Sequence, residues 1–429
     1  MLSHSVHLKH FLAGDEARTR DRYAVLFERI DKSEKTLRIF EDMPPNRDRI
    51  LGKVHELFRR YPKNSDRPPL FCVPVGVKGI FRTEGERIRA GSLLPPDLFE
   101  GAEARTVTAL REAGAIILGI TATTEFAFAE PGGTCNPRNT AHTPGGSSSG
   151  SAAGVAAGFF PLALGTQTIG SVIRPASYCG VTGFKPSHGL LPTDGLLYFS
   201  RSADHVGLFC ATPGEIEDCL KGIVQSFKCC PPPKKIRLGV PLGPYLEQAG
   251  RRTIAGLHRV LERLAAQAEL CLDIVDAPCL KNIAEINRIH RELIASEFAA
   301  EHRLWFERYR PLYRPRTAEC IRMGQQYGQE AIRKGRESQI RLRRNLEECL
   351  SAGRLDAFVC PSAVGEADKT LDSTGDPVMN LPWTHAGLPA VSLPCGVGEG
   401  GLPLGMQLAG FFGADASLLA LAKRLHEFL

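Results

Sequence analysis

Pro144-Gly-Gly-Ser-Ser-Ser-Gly-Ser151 and Gly165-Thr-Gln-Thr-Ile-Gly-Ser171 bracket an apolar segment, Ala152 to Leu164. That segment (Ala-Ala-Gly-Val-Ala-Ala-Gly-Phe-Phe-Pro-Leu-Ala-Leu) begins in helix-forming alanine and runs into Pro161. It predicts a short core helix followed by a short buried strand. Two glycine-bearing turns then each present a serine at one end of a compact, small-residue unit. Glycine permits backbone angles closed to other residues. Beside a serine it also leaves amide N–H groups uncovered for a developing anion. A flexible Gly-Ser linker would continue as low-complexity sequence, whereas an apolar segment follows here at once. A phosphate-binding P-loop would close on Lys-Ser or Lys-Thr, which this stretch lacks.

Working outward, Leu70 to Val77 is an apolar run that reads as a buried strand, with Lys78 at its end. Val77, Gly79, Ile80 and Phe81 offer that lysine little water, and desolvation pushes an amine towards its neutral, basic form. Thr106 to Ala113 reads as an amphipathic helix and Ala115 to Gly119 as a strand, an alternation typical of α/β layers. Glu16 to Tyr61 is charged and helical in pattern, broken at Pro44-Pro-Asn-Arg. Cys230-Pro-Pro-Pro-Lys-Lys is a stiff connector leading to a strand at Ile236 to Val240. Residues from about Ile254 to Leu350 then read as helical, with basic runs that fit solvated helix faces. Leu355 to Pro361, Ala390 to Gly396 and Leu404 to Gly410 supply further core strands, and Ala416 to Leu429 a closing amphipathic helix. The expected architecture is one α/β domain over 1–429, a mixed sheet sandwiched between helices. Its expected parts are N-terminal helices (1–65), a core (66–215), a variable helical excursion shaping the substrate site (216–350) and a return to the core (351–429).

Composition narrows the function classes. The 429 residues are 43% hydrophobic and 23% charged, values of a globular protein with a sizeable core. The charge of +6, from 53 basic against 47 acidic residues, is spread out, unlike the concentrated basic face of a nucleic-acid binder. No run approaches the roughly 20 apolar residues that cross a bilayer, and the N-terminus has no signal-peptide pattern. Thirteen cysteines show no Cys-x-x-Cys pair, so reduced thiols in a cytoplasmic protein, without a metal or other cofactor, are expected.

These stretches closely resemble the amidase signature family of serine hydrolases. The resemblance rests on 144–151, 165–171 and Cys179-Gly-Val-Thr-Gly-Phe-Lys-Pro186. It extends to Pro74-Val-Gly-Val-Lys78, Ala113-Gly-Ala-Ile-Ile-Leu-Gly-Ile-Thr121 and Ala386-Gly-Leu-Pro-Ala-Val-Ser-Leu-Pro394. It covers most of the chain from Leu70 onward and thins in the helical excursion. It implies the family's α/β fold and a Ser-Ser-Lys triad: Ser171 as nucleophile, Ser147 as the bridging serine held by a cis peptide bond, and Lys78 as base. Thr168, Ile169, Gly170 and Ser171 would offer their N–H groups to the oxyanion. Phe126, Ala127 and Phe128 match a segment that lines the acyl side of the cleft, although paired phenylalanines are also ordinary core. Ser148, Ser149 and Ser151 are expected to be turn and helix-capping hydroxyls. Asp204 and His205 suggest a Ser-His-Asp arrangement, but a buried structural aspartate fits better beside the lysine and second serine.

Three positions depart from the family pattern: Gln167 where Asp is common, Ile169 where Gly is common, and Ile173 in place of Arg, with Arg174 following. The expected function is a stand-alone amidohydrolase acting on a small amide, carbamate or urea-like substrate, with neither nucleic acid nor membrane as partner and with homodimerisation left open. The alternatives are the glutaminase subunit of a tRNA-dependent amidotransferase and an inactive binding protein on the same fold.

Overall fold

In the computed structural model, which describes residues 6–42 and 44–429, the apolar runs assemble into a single ten-stranded sheet. Its strands are β1 (Pro74–Lys78), β2 (Ile116–Thr121), β3 (Leu162–Gln167), β4 (Thr182–Lys185), β5 (His205–Cys210), β6 (Ile236–Val240), β7 (Leu272–Asp276), β8 (Ala357–Pro361), β9 (Ala390–Val397) and β10 (Pro403–Ala409). They lie in the order β2-β1-β3-β5-β4-β9-β10-β8-β6-β7. Pairing is parallel at both ends (β2-β1-β3 and β8-β6-β7) and antiparallel through the middle. Parallel pairs require helical crossovers, and the chain supplies them.

The helices are α1 (Lys9–Leu12), α2 (Glu16–Leu37), α3 (Arg47–Arg60), α4 (Arg105–Glu112), α5 (Ser149–Ala157), α6 (Ile173–Cys179), α7 (Pro213–Ile223), α8 (Arg251–Ala265), α9 (Ile283–Glu301), α10 (Arg303–Tyr309), α11 (Pro315–Gly353), α12 (Leu381–His385) and α13 (Asp415–His426). They flank the sheet, and β1, β2, β3, β4, β5 and β8 are buried along their whole length. The predicted helix-then-strand reading of Ala152 to Leu164 corresponds to α5 and β3.

Two expectations need correction. The run from Ile254 to Leu350 is not wholly helical: β7 lies within it and forms the sheet edge beyond β6. Its Leu272-Asp-Ile-Val-Asp276 is too short and only half buried, so it lacks the long apolar signal of a core strand. The strand predicted from Leu70 begins only at Pro74, because Cys72 sits at φ 58° and the Val73 N–H turns back to the Leu70 carbonyl. Within the same region α11 is interrupted at Gly328, at φ 64° and ψ −159°.

One close approach ties the core unit together. The Phe160 ring occupies the space above Gly76 of β1 and Gly154 of α5, where an added Cβ would lie 2.5 Å and 2.0 Å from its Cζ. Alanine normally favours a helix over glycine by about 1 kcal/mol, but overpacking costs about 1–3 kcal/mol. The two terms oppose, and with so close an overlap Gly154→Ala is expected to lower stability in urea denaturation by a net of about 1–2 kcal/mol. Adding Phe160→Leu should recover part of the loss.

Candidate active site

β1 delivers Lys78 to its C-terminal end, where the side chain is completely buried. Its Nζ donates to Ser147 Oγ at 2.7 Å and to Thr166 Oγ1 of β3 at 2.8 Å. Its hydrogen-bond partners are hydroxyls, and no carboxylate forms an ion pair with it among the described residues. Burial pulls its pKa down from 10.5 to about 7, partly offset by the charge of Asp204. Asp204 is itself raised to about 6 by burial, against the Thr168 hydroxyl, the Ser200 and Phe199 amides and Lys78.

Ser147 follows a cis peptide bond from Gly146. The flanking turn is fastened on several sides. Arg174, buried at the start of α6, donates to the Gly146 carbonyl at 2.6 Å, the Gly375 carbonyl at 2.8 Å and the Thr374 hydroxyl at 3.1 Å. A Cβ on Gly145 would lie 2.8 Å from Pro175 Cα, so the turn carrying Ser147 rests directly on the helix that follows Ser171. Ser149 Oγ donates to the Gly145 carbonyl and Ser151 Oγ to the Leu164 carbonyl, both at 2.8 Å. The capping role expected of Ser148 is not observed: α5 has no side-chain cap. Its hydroxyl faces β3 instead, accepting from the Thr166 N–H and donating to the Thr166 carbonyl, both at 3.2 Å.

Ser171 stands at the other turn, 9% exposed, and its hydroxyl bonds to no protein group among the described residues. Gln167 explains how this turn forms without the commoner aspartate. Its Oε1 accepts from the Val172 and Ile173 N–H groups at 2.8 and 2.9 Å, and its Nε2 donates to Thr384 Oγ1 at 2.9 Å. The amides of Ile169, Gly170 and Ser171 donate to no protein acceptor among the described residues. Ile169 has no positive φ, so its β-branched side chain sits in ordinary backbone. Gly170 is required by packing, since a Cβ there would lie 2.3 Å from Asn380 Oδ1.

Asp204 acts on this turn as a structural acceptor: Oδ1 takes the Thr168 hydroxyl at 2.5 Å and Oδ2 the Phe199 and Ser200 amides at 2.9 and 3.1 Å. His205 bonds the Ala203 carbonyl at 2.7 Å and burial holds it well below its usual pKa. It forms no hydrogen bond with Asp204 among the described residues, so the Ser-His-Asp alternative is not assembled. The 126–128 segment reaches the site through Thr124, whose N–H donates to the Ser147 carbonyl at 3.3 Å. Phe126, at φ 47°, packs inward against His302 at 4.4 Å and Phe99 at 5.8 Å. Ala127 is buried and also has positive φ, at 60°. Phe128, half buried and stacked on Phe199 at 5.3 Å, is the ring of this segment with free surface.

Thr166, Thr384 and His290, whose Nε2 lies 3.0 Å from the Thr168 carbonyl, were not expected to build the site; Gln167 and Arg174 stood out in the sequence only as departures from the family pattern. Nothing in a lone threonine or histidine of a helical stretch announces such a role. Among the described residues no group of His, Cys, Asp or Glu is placed to hold a metal ion, and no helix is long and apolar enough to cross a membrane.

The sequence profile of the amidase family matches residues 24–419. The chain belongs to the amidase family. Its relatives include a glutamyl-tRNA(Gln) amidotransferase subunit from Symbiobacterium thermophilum, 30% identical over 425 residues, covering 87% of this chain and 86% of the relative. The corresponding subunit from a Synechococcus strain is 27% identical over 471 residues, covering 97% and 94%. Among solved structures, that of an amidase superposes with a TM-score of 0.85 at 26% identity, covering 96% of both chains. The peptide amidase of Stenotrophomonas maltophilia gives 0.80 at 25% identity, covering 98% of this chain and 95% of that one. The amidase signature fold expected from the sequence is thus shared with these enzymes.

For this family member, Gln167 carries a testable structural load. Gln167→Leu leaves two buried amides without acceptors, each costing about 1–3 kcal/mol. Gln167→Glu keeps the acceptor and should cost less. Urea denaturation of the two variants checks this order.

Proposed function

We propose that the protein is a serine amidohydrolase that cleaves the C–N bond of a small amide, carbamate or urea-like substrate through an acyl-enzyme on Ser171. The observation that carries this reading is the buried Lys78 amine, 2.7 Å from Ser147 and held by hydroxyls. An amine in that setting is readily neutral and can act as a base. Neutral Lys78 accepts the Ser147 proton as Ser147 takes that of Ser171. The Ser171 oxygen then attacks the substrate carbonyl. Developing negative charge on the carbonyl oxygen is met by backbone N–H groups among Thr168, Ile169, Gly170 and Ser171; losing one such donor typically costs about 2.7–4 kcal/mol. The relay returns its proton to the departing amine, and water repeats the sequence to release the acid. This is a Ser-Lys variant of the triad logic. Phe128 offers an apolar wall for the acyl group.

The second reading is a glutaminase subunit working with amidotransferase partners, favoured by the relatives named above. A panel of small amides, carbamates and ureas, run beside L-glutamine with and without partner subunits, separates the two. Fastest ammonia release from glutamine replaces the first reading with the second.

Ser171→Ala is expected to lower turnover by about a thousandfold or more, with an unchanged circular dichroism spectrum. Wild-type activity in that variant assigns the nucleophile elsewhere.

The pH profile follows from the direction of the lysine shift. Lys78 works deprotonated, so kcat/KM rises with pH through about 7 and levels off above. The Asp204 charge raises the Lys78 pKa, so Asp204→Asn moves the rising limb to lower pH. Lys78→Arg stays charged and should be as inactive as Lys78→Ala. A folded, active Lys78→Arg enzyme removes Lys78 from the role of base.

A further inference from the structure

Three successive peptide units lead into Ser171, and each has its carbonyl held from behind. The Thr168 carbonyl pairs with His290 Nε2 at 3.0 Å. The Ile169 carbonyl accepts from Thr384 Oγ1 at 2.7 Å, and the Gly170 carbonyl accepts from the Arg174 N–H at 3.0 Å. In a trans peptide the C=O and N–H of one unit point in opposite directions. Fixing these carbonyls therefore turns the Ile169, Gly170 and Ser171 amides to the other side, where they have no protein acceptor among the described residues.

The first of these holds comes from the helical excursion. His290 lies on α9 and is fully buried. Its Nδ1 meets His385 Nδ1 of α12 at 3.0 Å, and His385 Nε2 meets Ser338 Oγ of α11 at 3.0 Å. Burial lowers the pKa of both histidines, that of His290 to about 4, so each carries one ring proton. A carbonyl can only accept, which places the His290 proton on Nε2. Its Nδ1 then accepts from His385 Nδ1–H, and His385 Nε2 accepts the Ser338 hydroxyl. The chain of donors runs one way, from α11 through α12 and α9 to the turn.

We propose that His290, propped by His385 and Ser338, is a positioning residue that aims the Ile169 N–H at the oxyanion. The proposal rests on the acyl-enzyme reading above. It gives the excursion a part in the chemical step that neither the triad nor the substrate pocket contains. The glycine common at position 169 in the family is here an isoleucine, whose peptide orientation is set through its neighbour's carbonyl.

The test uses a fluorophosphonate, whose phosphoryl oxygen takes the oxyanion position, and reads the maximal labelling rate (kinact) apart from KI. In the full-length protein, His290→Leu is expected to lower kinact by about tenfold or more, with KI within about threefold, since one misaimed donor is a fraction of a full deletion. His290→Gln retains an N–H donor and should label within about threefold of wild type. A mere packing role would not separate kinact from KI, nor be rescued by glutamine. His385→Leu leaves His290 in place but unpropped. It carries the same prediction at about threefold or more, and covers a failure of His290→Leu to fold. Unchanged kinact in folded His290→Leu or His385→Leu overturns the proposal, as does a folded His290→Gln as slow as His290→Leu. Absence of any wild-type adduct on Ser171 by peptide mapping overturns the acyl-enzyme reading, and the positioning role with it. Adduct formation at undiminished rate in the variants overturns the positioning role alone.

Discussion

A lysine amine closed off from water, with hydroxyls as its hydrogen-bond partners, is the constraint on which the site depends. Removing an ammonium from water carries a penalty of several kcal/mol unless it is paired, and that penalty is what lowers the Lys78 pKa to about 7, where the neutral amine is readily reached. The fold must then hold Ser147 and Thr166 at 2.7 and 2.8 Å from that amine, because an unsatisfied buried amine would add its own cost. β1 and β3 are adjacent parallel strands paired as far as Val77 and Leu164, which brings the strand ends carrying Lys78 and Thr166 side by side. Ser147 comes from the turn before α5, which the sheet alone does not fix. Arg174, Ser149 and the close fit of Gly145 on Pro175 supply that fixation.

The turn carrying Ser171 is likewise fastened from several sides, by side chains and by the Arg174 backbone N–H on the Gly170 carbonyl. Gln167 takes two amides at the start of α6, Asp204 takes the Thr168 hydroxyl, and His290 and Thr384 bond the first two carbonyls. Among the described residues, what is left unpaired is a short row of N–H groups beside one serine. Under the proposed mechanism this row is the oxyanion site, since donors fixed before reaction need no reorganisation during it. The excursion helices α9 and α11 pack together and reach the turn through His290 and Ser338.

Much of this was legible in the chain. The two serine turns, the small-residue helix between them and the lysine at the end of an apolar strand are local patterns, and α5, β3 and β1 follow from them. The strands at Ile236, Leu355, Ala390 and Leu404 were readable because buried strands are short apolar runs. β7 was missed because a half-buried edge strand with aspartate at two of its five positions carries little periodic signal. The capping role given to Ser148 failed because serine at a helix start serves whichever neighbour lies closer, here β3. His290 and Thr384 were not legible as site residues, and Arg174 was legible as a departure from the family pattern but not by what it holds. Their partners lie 122, 215 and 28 positions away in sequence, and only the folded sheet brings them together.

The central claim is that Lys78 loses its charge near neutral pH, far below an ordinary lysine, because the fold has removed its water. Its titration can be followed directly by the 13C shift of Cε in protein labelled at lysine, with Lys78→Met identifying the resonance. The account predicts a midpoint near 7. A midpoint near the ordinary lysine value of about 10.4 would mean that Lys78 remains an ammonium in the folded protein and cannot start the relay.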